Sequence, residues 1–74
     1  MKKYKNIHGD SGVLAYETGS DFIKVLFAGN EGYIYNYEKP GKTKVEKMKK
    51  LAVAGKGLST YISQAVRDKF YRKL

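Results

Sequence analysis

The sequence predicts an α+β fold in which a three-stranded antiparallel β-meander precedes two α-helices packed on one face of the sheet. Three short runs rich in β-branched and aromatic residues fill the first half of the chain, and glycine-containing turns separate them. In the second half, apolar residues recur at helical spacing. A chain of 74 residues allows one small domain. We therefore assign residues 11–74 to a single domain and expect residues 1–10 to form a flexible segment.

The three strands are predicted at residues 12–17, 22–27 and 33–37. The turns between them, residues 18–21 and 28–32, contain glycines that can adopt positive φ. Loops this short join antiparallel neighbours, so a meander is the natural arrangement. Pro40 and Gly41 then end the sheet, because proline cannot donate a hydrogen bond to a strand ladder.

The first helix is predicted from a capping box, in which Thr43 is the N-cap residue and Glu46 reaches back to it. Apolar residues from Val45 to Ala52 follow at helical spacing, which extends the helix to about Ala54. The segment 55–57, Gly-Lys-Gly, ends it.

A second helix is predicted over about residues 58–73. One apolar stripe supports it, formed by Leu58, Tyr61, Ile62, Ala65, Val66, Phe70 and Leu74. Three basic residues, Lys69, Arg72 and Lys73, fall at its carboxyl end, where cations interact favourably with the helix dipole.

Composition excludes several classes of function. The chain has no cysteine and one histidine, His8, so thiolate chemistry and multi-histidine metal cages are excluded. His8 itself is expected to be a solvated polar residue. No apolar run approaches a membrane span, and the basic N-terminus leads into no apolar stretch, so we expect a cytoplasmic protein without a secretory signal. No nucleophile, base and orienting group stand together, and no cofactor is expected, which predicts a non-enzymatic protein.

The net charge of +8 is concentrated in the second half of the chain. Over residues 1–41, five lysines balance five acidic residues, whereas over residues 42–74 ten basic residues accompany only Glu46 and Asp68. Such asymmetry predicts contact with a nucleic acid or another acidic surface. The alternative is that these lysines only keep a small helical surface soluble.

Three tyrosines alternate along the third strand, Tyr33, Tyr35 and Tyr37, and so project from one face. If that face meets water, the rings form a row on which bases stack. If it meets the helices, the rings are core and their hydroxyls reach the rim for hydrogen bonds. Both arrangements are open at this stage, and aromatic residues at strand spacing are more often core.

A glycine-rich turn precedes the second helix. Backbone amides at a helix start can hold an anion, with Lys56, Ser59 and Thr60 nearby. The spacing is not that of a P-loop, however, and a plain helix–helix turn capped by Ser59 or Thr60 is the simpler interpretation.

Several of these pieces resemble the KTSC domain, a small domain found at the C-terminus of some lysyl-tRNA synthetases and as stand-alone bacterial or phage proteins. The resemblance covers about residues 12–70 and is carried by three segments: Val-Leu-Phe at 25–27, Gly-Tyr-Ile-Tyr-Asn-Tyr at 32–37, and Ala-Gly-Lys-Gly-Leu-Ser-Thr-Tyr-Ile at 54–62. The family's Tyr-x-Tyr aligns with Tyr33 and Tyr35 or, with Gly32 at the expected distance, with Tyr35 and Tyr37. The function proposed for that family is RNA binding, so the resemblance implies RNA as the partner.

Charge, tyrosines and resemblance together predict a nucleic-acid-binding module that prefers RNA. The alternative prediction is a protein-interaction module, encoded by a phage or mobile element, that docks an acidic partner or self-associates. The residues predicted to contact nucleic acid are Tyr33, Tyr35, Tyr37, Lys42, Lys44, Lys47, Lys49, Lys50, Lys56, Arg67, Lys69, Arg72 and Lys73.

Overall fold

Within the described part of the chain, the sheet has five antiparallel strands rather than the three predicted. A computed structural model describes residues 1–7, 9 and 11–74. The strands follow one another in chain order across the sheet. They are β1 (Lys2–Lys3), β2 (Val13–Thr18), β3 (Phe22–Phe27), β4 (Glu31–Asn36) and β5 (Arg72–Lys73). The α+β class is therefore confirmed, and the strand count was wrong.

The central meander, β2 to β4, forms close to the predicted positions, but β4 begins two residues earlier than predicted and ends at Asn36, before Tyr37. In β3 every second residue is buried: Ile23 and Val25 are fully enclosed, while Lys24 lies on the opposite face. A bulge between Val13 and Ala15 shifts the register of β2 against β3. The sheet thus has one apolar face for the helices.

Two short edge strands come from segments that carry no strand signal. Lys2 and Lys3 pair with β2, and the next residue, Tyr4, is 2% exposed in the core. The flexibility predicted for residues 1–10 stays a prediction, but this segment supplies a strand and a core ring. His8, which is predicted to be a solvated polar residue, lies outside the described residues, as does Asp10.

The first helix, α1 (Lys42–Ala54), packs on β3 and β4 through Val45, Met48 and Ala52. Its predicted capping box was wrong. The N-cap residue is Gly41, and none of the described side chains caps the helix. Glu46 instead bonds with Tyr37 and Lys49. The predicted end is confirmed, because Gly55 is the C-cap in the left-handed conformation.

The second helix was predicted too long. The helix α2 (Leu58–Tyr61) runs into a π-helical turn, Ile62–Val66, and helical structure stops at Arg67, whose φ is 54°. The N-cap is Gly57 and not Ser59 or Thr60. Leu58, Ile62 and Val66 are buried as the stripe predicted.

The last residues leave the helix to cover the open edge of β4. The amide of Tyr71 donates to the carbonyl of Ile34 at 2.7 Å, and the amide of Leu74 donates to that of Gly32 at 2.8 Å. These bonds satisfy backbone groups that would otherwise form an unpaired strand edge. Lys69, Arg72 and Lys73 consequently do not line a helix end, which corrects the prediction for all three.

Between the sheet and the helices, twelve of the described residues form one buried hydrophobic cluster. Among the described residues no helix has the length and apolarity needed to cross a membrane.

Candidate functional site

The tyrosine row faces the helical layer. In the sheet, Tyr33 stands opposite Val25 and Tyr35 opposite Ile23, and both partners are fully buried. Tyr35 is itself 2% exposed, whereas Tyr33 and Tyr37 are half-buried. The core arrangement is therefore the one the molecule adopts, and no row of three rings is presented to solvent.

At one end of the row, Tyr37 belongs to a polar cluster that is complete within the protein. Its hydroxyl donates to the Glu46 carboxylate at 2.7 Å, and the ammonium group of Lys49 lies 2.9 Å from the same carboxylate. Lys49 also donates to the Ser20 carbonyl at 3.1 Å. The ammonium groups of Lys42 and Lys49 lie 5.8 and 5.6 Å from the centre of the Tyr37 ring. We call Tyr37, Lys42, Glu46 and Lys49 the Tyr37 cluster.

Within the Tyr37 cluster, the charged and polar groups stabilise one another's protonation states. Hydrogen bonds from Lys49 and then from Tyr37 lower the pKa of Glu46 below its usual value. The same bond to Glu46 raises the pKa of Tyr37, because the neutral phenol is the donor. Lys49, which was predicted to contact nucleic acid, is thus engaged in intramolecular contacts.

At the other end of the row, a cavity of about 460 Å³ opens between the sheet and the segment that follows the π-helical turn. The ring of Tyr33 lies 5.7 Å from that of Phe27, 4.6 Å from that of Phe70 and 6.5 Å from that of Tyr35, measured between centres. We call this cavity the aromatic pocket. The described residues that line it are Gly12, Phe27, Ala28, Glu31, Tyr33, Tyr35, Arg67, Asp68 and Phe70.

Two hydroxyls of the aromatic pocket differ in their partners. The Tyr33 hydroxyl donates to the Glu31 carboxylate at 3.2 Å. For the Tyr35 hydroxyl, no hydrogen-bond partner is found among residues 1–7, 9 and 11–74. Burial, with a smaller contribution from Tyr33, raises the pKa of Tyr35 to about 12, so it is a neutral donor at physiological pH.

Cationic side chains stand at the mouth of the aromatic pocket. Arg67 lines it and is exposed. Lys73 pairs with Tyr33 across β4 and β5, and its ammonium group lies 6.0 Å from the centre of the Tyr33 ring. Arg72 projects from the opposite face of β5 and lies over the Tyr71 ring at 5.6 Å.

The remaining predicted cations lie on α1, in the turn after it and in the segment after the π-helical turn. Lys47 and Lys50 are exposed on the face of α1 turned away from the buried Val45 and Met48. Lys44 is half-buried, whereas Lys56 and Lys69 are exposed. The predicted cations of α1 lie apart from Arg67 and Lys73 beside the aromatic pocket, and Lys56, Lys69 and Arg72 belong to neither group. The structure therefore does not bring all of them to one surface.

The glycine-rich turn borders a second cavity of about 640 Å³. Here the buried Tyr4 hydroxyl accepts a hydrogen bond from the backbone amide of Leu58 at 3.3 Å. The first amide of α2 is thereby satisfied from within the chain. Gly55 and Gly57 have φ of 77° and 79°, which supports the simpler interpretation of the segment as a helix–helix turn.

The sequence pattern did not reveal the aromatic pocket. Phe27 and Phe70 were assigned to a strand and to a long helix, and the predicted helix would have carried Phe70 away from Tyr33.

The fold and its surface define a small, basic α+β domain with one aromatic pocket. No family model, curated protein or solved structure matches the chain. The resemblance to the KTSC domain stays a prediction. Among the described residues, no three His, Asp or Glu side chains cluster in a way that would hold a metal ion.

Proposed function

We propose that this protein is a small, non-enzymatic nucleic-acid-binding module of the cytoplasm, with RNA as the expected partner and the KTSC domain as the expected family. The observation that carries the proposal is the one-sided charge: the whole surplus of +8 lies in residues 42–74. Clustered cations attract the phosphate backbone whatever its base sequence.

The exposed face of α1 is the proposed phosphate contact. Lys47 and Lys50 are three residues apart, so they are neighbours on the helix surface. The nearest acidic residue on α1, Glu46, is already paired with Lys49. The positive potential of this face is therefore not cancelled by its own helix.

The burial of the tyrosines changes the proposed role of base stacking. Tyr35 has almost no exposed surface on which a base stacks from solvent. Tyr33 is half-buried and lies beside Lys73, so stacking is confined to the edge of the row near the aromatic pocket.

The test is a fluorescence-anisotropy titration of labelled single-stranded RNA over a range of salt concentrations. If about four phosphates are contacted, log affinity falls against log salt with a slope near −3. Replacing two lysines by K47Q/K50Q is expected to make that slope shallower by about 1.4.

The matched control is K24Q/K39Q, which removes the same charge from the balanced half of the chain. Lys24 lies 3.6 Å from Glu17, so its charge is partly compensated. An equal loss in both variants would contradict binding by α1, and no binding by the native protein at low salt would contradict the proposed function.

A protein-interaction module is the second candidate, and the outer face of the sheet favours it. Leu26 and Ile34 are half-exposed on that face, and Leu74 is 58% exposed beside Gly32. This candidate predicts a dimer or complex by light scattering and no salt-dependent affinity for nucleic acid.

A further inference from the structure

We propose that the aromatic pocket binds one unstacked base of a single-stranded nucleic acid, with the Tyr35 hydroxyl donating a hydrogen bond to the edge of the base. This inference rests on the proposed function and deepens it, because it names the part of the ligand that is bound and the strand state that is required.

The dimensions and lining of the pocket fit a flat aromatic ring. Its volume of about 460 Å³ falls in the range of small-ligand sites, which are mostly apolar with a few placed polar groups. The rings of Phe27, Tyr33 and Phe70 supply faces and edges against which a base stacks. A base in a duplex is already stacked and paired, so only an unpaired base enters.

The Tyr35 hydroxyl provides the second, independent observation. Tyr35 is 2% exposed and lines the pocket, and no hydrogen bond to its hydroxyl is found within residues 1–7, 9 and 11–74. Among the described residues no side-chain nitrogen or oxygen is both fully buried and unpaired, so the Tyr35 oxygen keeps some surface open, and a molecule in the pocket can reach it. A ring nitrogen or carbonyl oxygen of a base is an acceptor that would complete this bond.

Charges at the mouth orient the rest of the ligand. Arg67 and Lys73 are the cations beside the pocket, and Glu31 and Asp68 are the anions on its rim. The phosphates that flank the inserted base are expected on the side of Lys73 and Arg67. The carboxylates repel phosphate but accept hydrogen bonds from an exocyclic amino group, which favours adenine, guanine or cytosine over uracil.

The experiment compares Y35F with Y37F in the same anisotropy titration. Each variant loses one hydroxyl from the same face of the tyrosine row, and only Tyr35 lines the pocket. We expect Y35F to weaken binding about 3- to 10-fold with an unchanged salt slope, and Y37F to stay within about 2-fold of the native affinity.

An abasic oligonucleotide of the same length and charge provides the matched ligand. The native protein is expected to bind it about 10-fold or more weakly than the normal strand, and Y35F is expected to bind it as the native protein does. Far-UV circular dichroism checks that both variants are folded.

The outcomes separate the two proposals. RNA binding that is insensitive both to Y35F and to removal of the bases contradicts the pocket but leaves the proposed function standing. If the native protein binds no RNA, the proposed function fails, and an NMR titration with adenosine monophosphate then decides the pocket. Shifts confined to Phe70, Tyr35 and their neighbours support a base site, and unchanged spectra overturn it.

Discussion

The two ends of the tyrosine row contain the same kind of residue on the same face of the sheet, but they differ in what covers them. At one end, Tyr37 lies beneath α1, where Glu46 and Lys49 satisfy its hydroxyl and Lys42 approaches its ring. At the other end, Tyr35 and Tyr33 lie beneath the irregular segment after Val66, which leaves a cavity.

The alternation of side chains along the strand decides which face of the sheet a tyrosine lies on. The element that packs over that tyrosine decides whether its hydroxyl is already bonded or lies beside a cavity. A regular helix presents side chains every turn and fills the space above Tyr37 with charged groups that pair with one another. An irregular segment packs one ring, Phe70, against Tyr33 and leaves space beside it. A ligand site is therefore expected at the second end only.

The largest expected difference between the two ends is in stability. Y35A removes a fully buried ring and is expected to cost about 3–5 kcal/mol, which is as much as a core of this size supplies. It should therefore unfold the domain, as monitored by far-UV circular dichroism. Y37A removes a half-buried ring and is expected to keep a cooperative urea transition at a lower midpoint. Equal losses in the two variants would show that Tyr35 is not the more deeply packed residue.

The second comparison uses alkaline pH. The pKa of Tyr35 is raised from 10.0 to about 12 in the folded protein, so the folded state holds this proton more tightly than the unfolded state does. The resulting contribution of about 2–3 kcal/mol is complete below pH 10 and is lost as the pH rises towards 12. Urea unfolding across this interval should show a flatter pH dependence in Y35F. The raised pKa values of Tyr33 and Tyr37 act in the same direction and remain in that variant.

The smallest expected effect belongs to the Tyr37 cluster at acid pH. The pKa of Glu46 is lowered on folding, so its contribution to stability is present above the ordinary value of 4.5 and is lost as the pH falls through the lowered one. The thermal midpoint of the native protein should exceed that of E46Q at neutral pH, and the two should converge in acid. Because the groups are partly exposed, added salt should narrow the difference. A difference that persists in acid would assign it to packing rather than to charge.

The local pattern was sufficient for β3, which was predicted at residues 22–27 and forms at Phe22–Phe27. It was also sufficient for the end of α1 and for the buried stripe of Leu58, Ile62 and Val66. In each case the structure follows from a hydrophobic period of two or 3.6 residues or from a glycine in the left-handed conformation. Each of these signals involves only residues that are close in sequence. These signals lie in the chain itself.

The pattern failed where distant segments compete for the same residues. Phe70 and Leu74 continue the helical stripe in sequence, but the open edge of β4 offers backbone hydrogen bonds to Tyr71 and Leu74 instead. Thr43 and Glu46 have the spacing of a capping box, but Tyr37 and Lys49 bind the carboxylate. The strand at Lys2–Lys3 exists only because β2 has a free edge beside it.

Local pattern and composition were enough to predict the α+β class, the central meander, the first helix and the concentration of positive charge after residue 41, because each depends on near neighbours or on residue counts. Only the tertiary structure decided which tyrosine is core, which lysine is already paired and where the aromatic pocket lies. The aromatic pocket depends on the path of the chain after Val66, and the pairing of Lys49 depends on how α1 packs on the sheet. Both are set by contacts between residues distant in sequence, such as the hydrogen bonds of Leu74 to Gly32 and of Lys49 to Ser20.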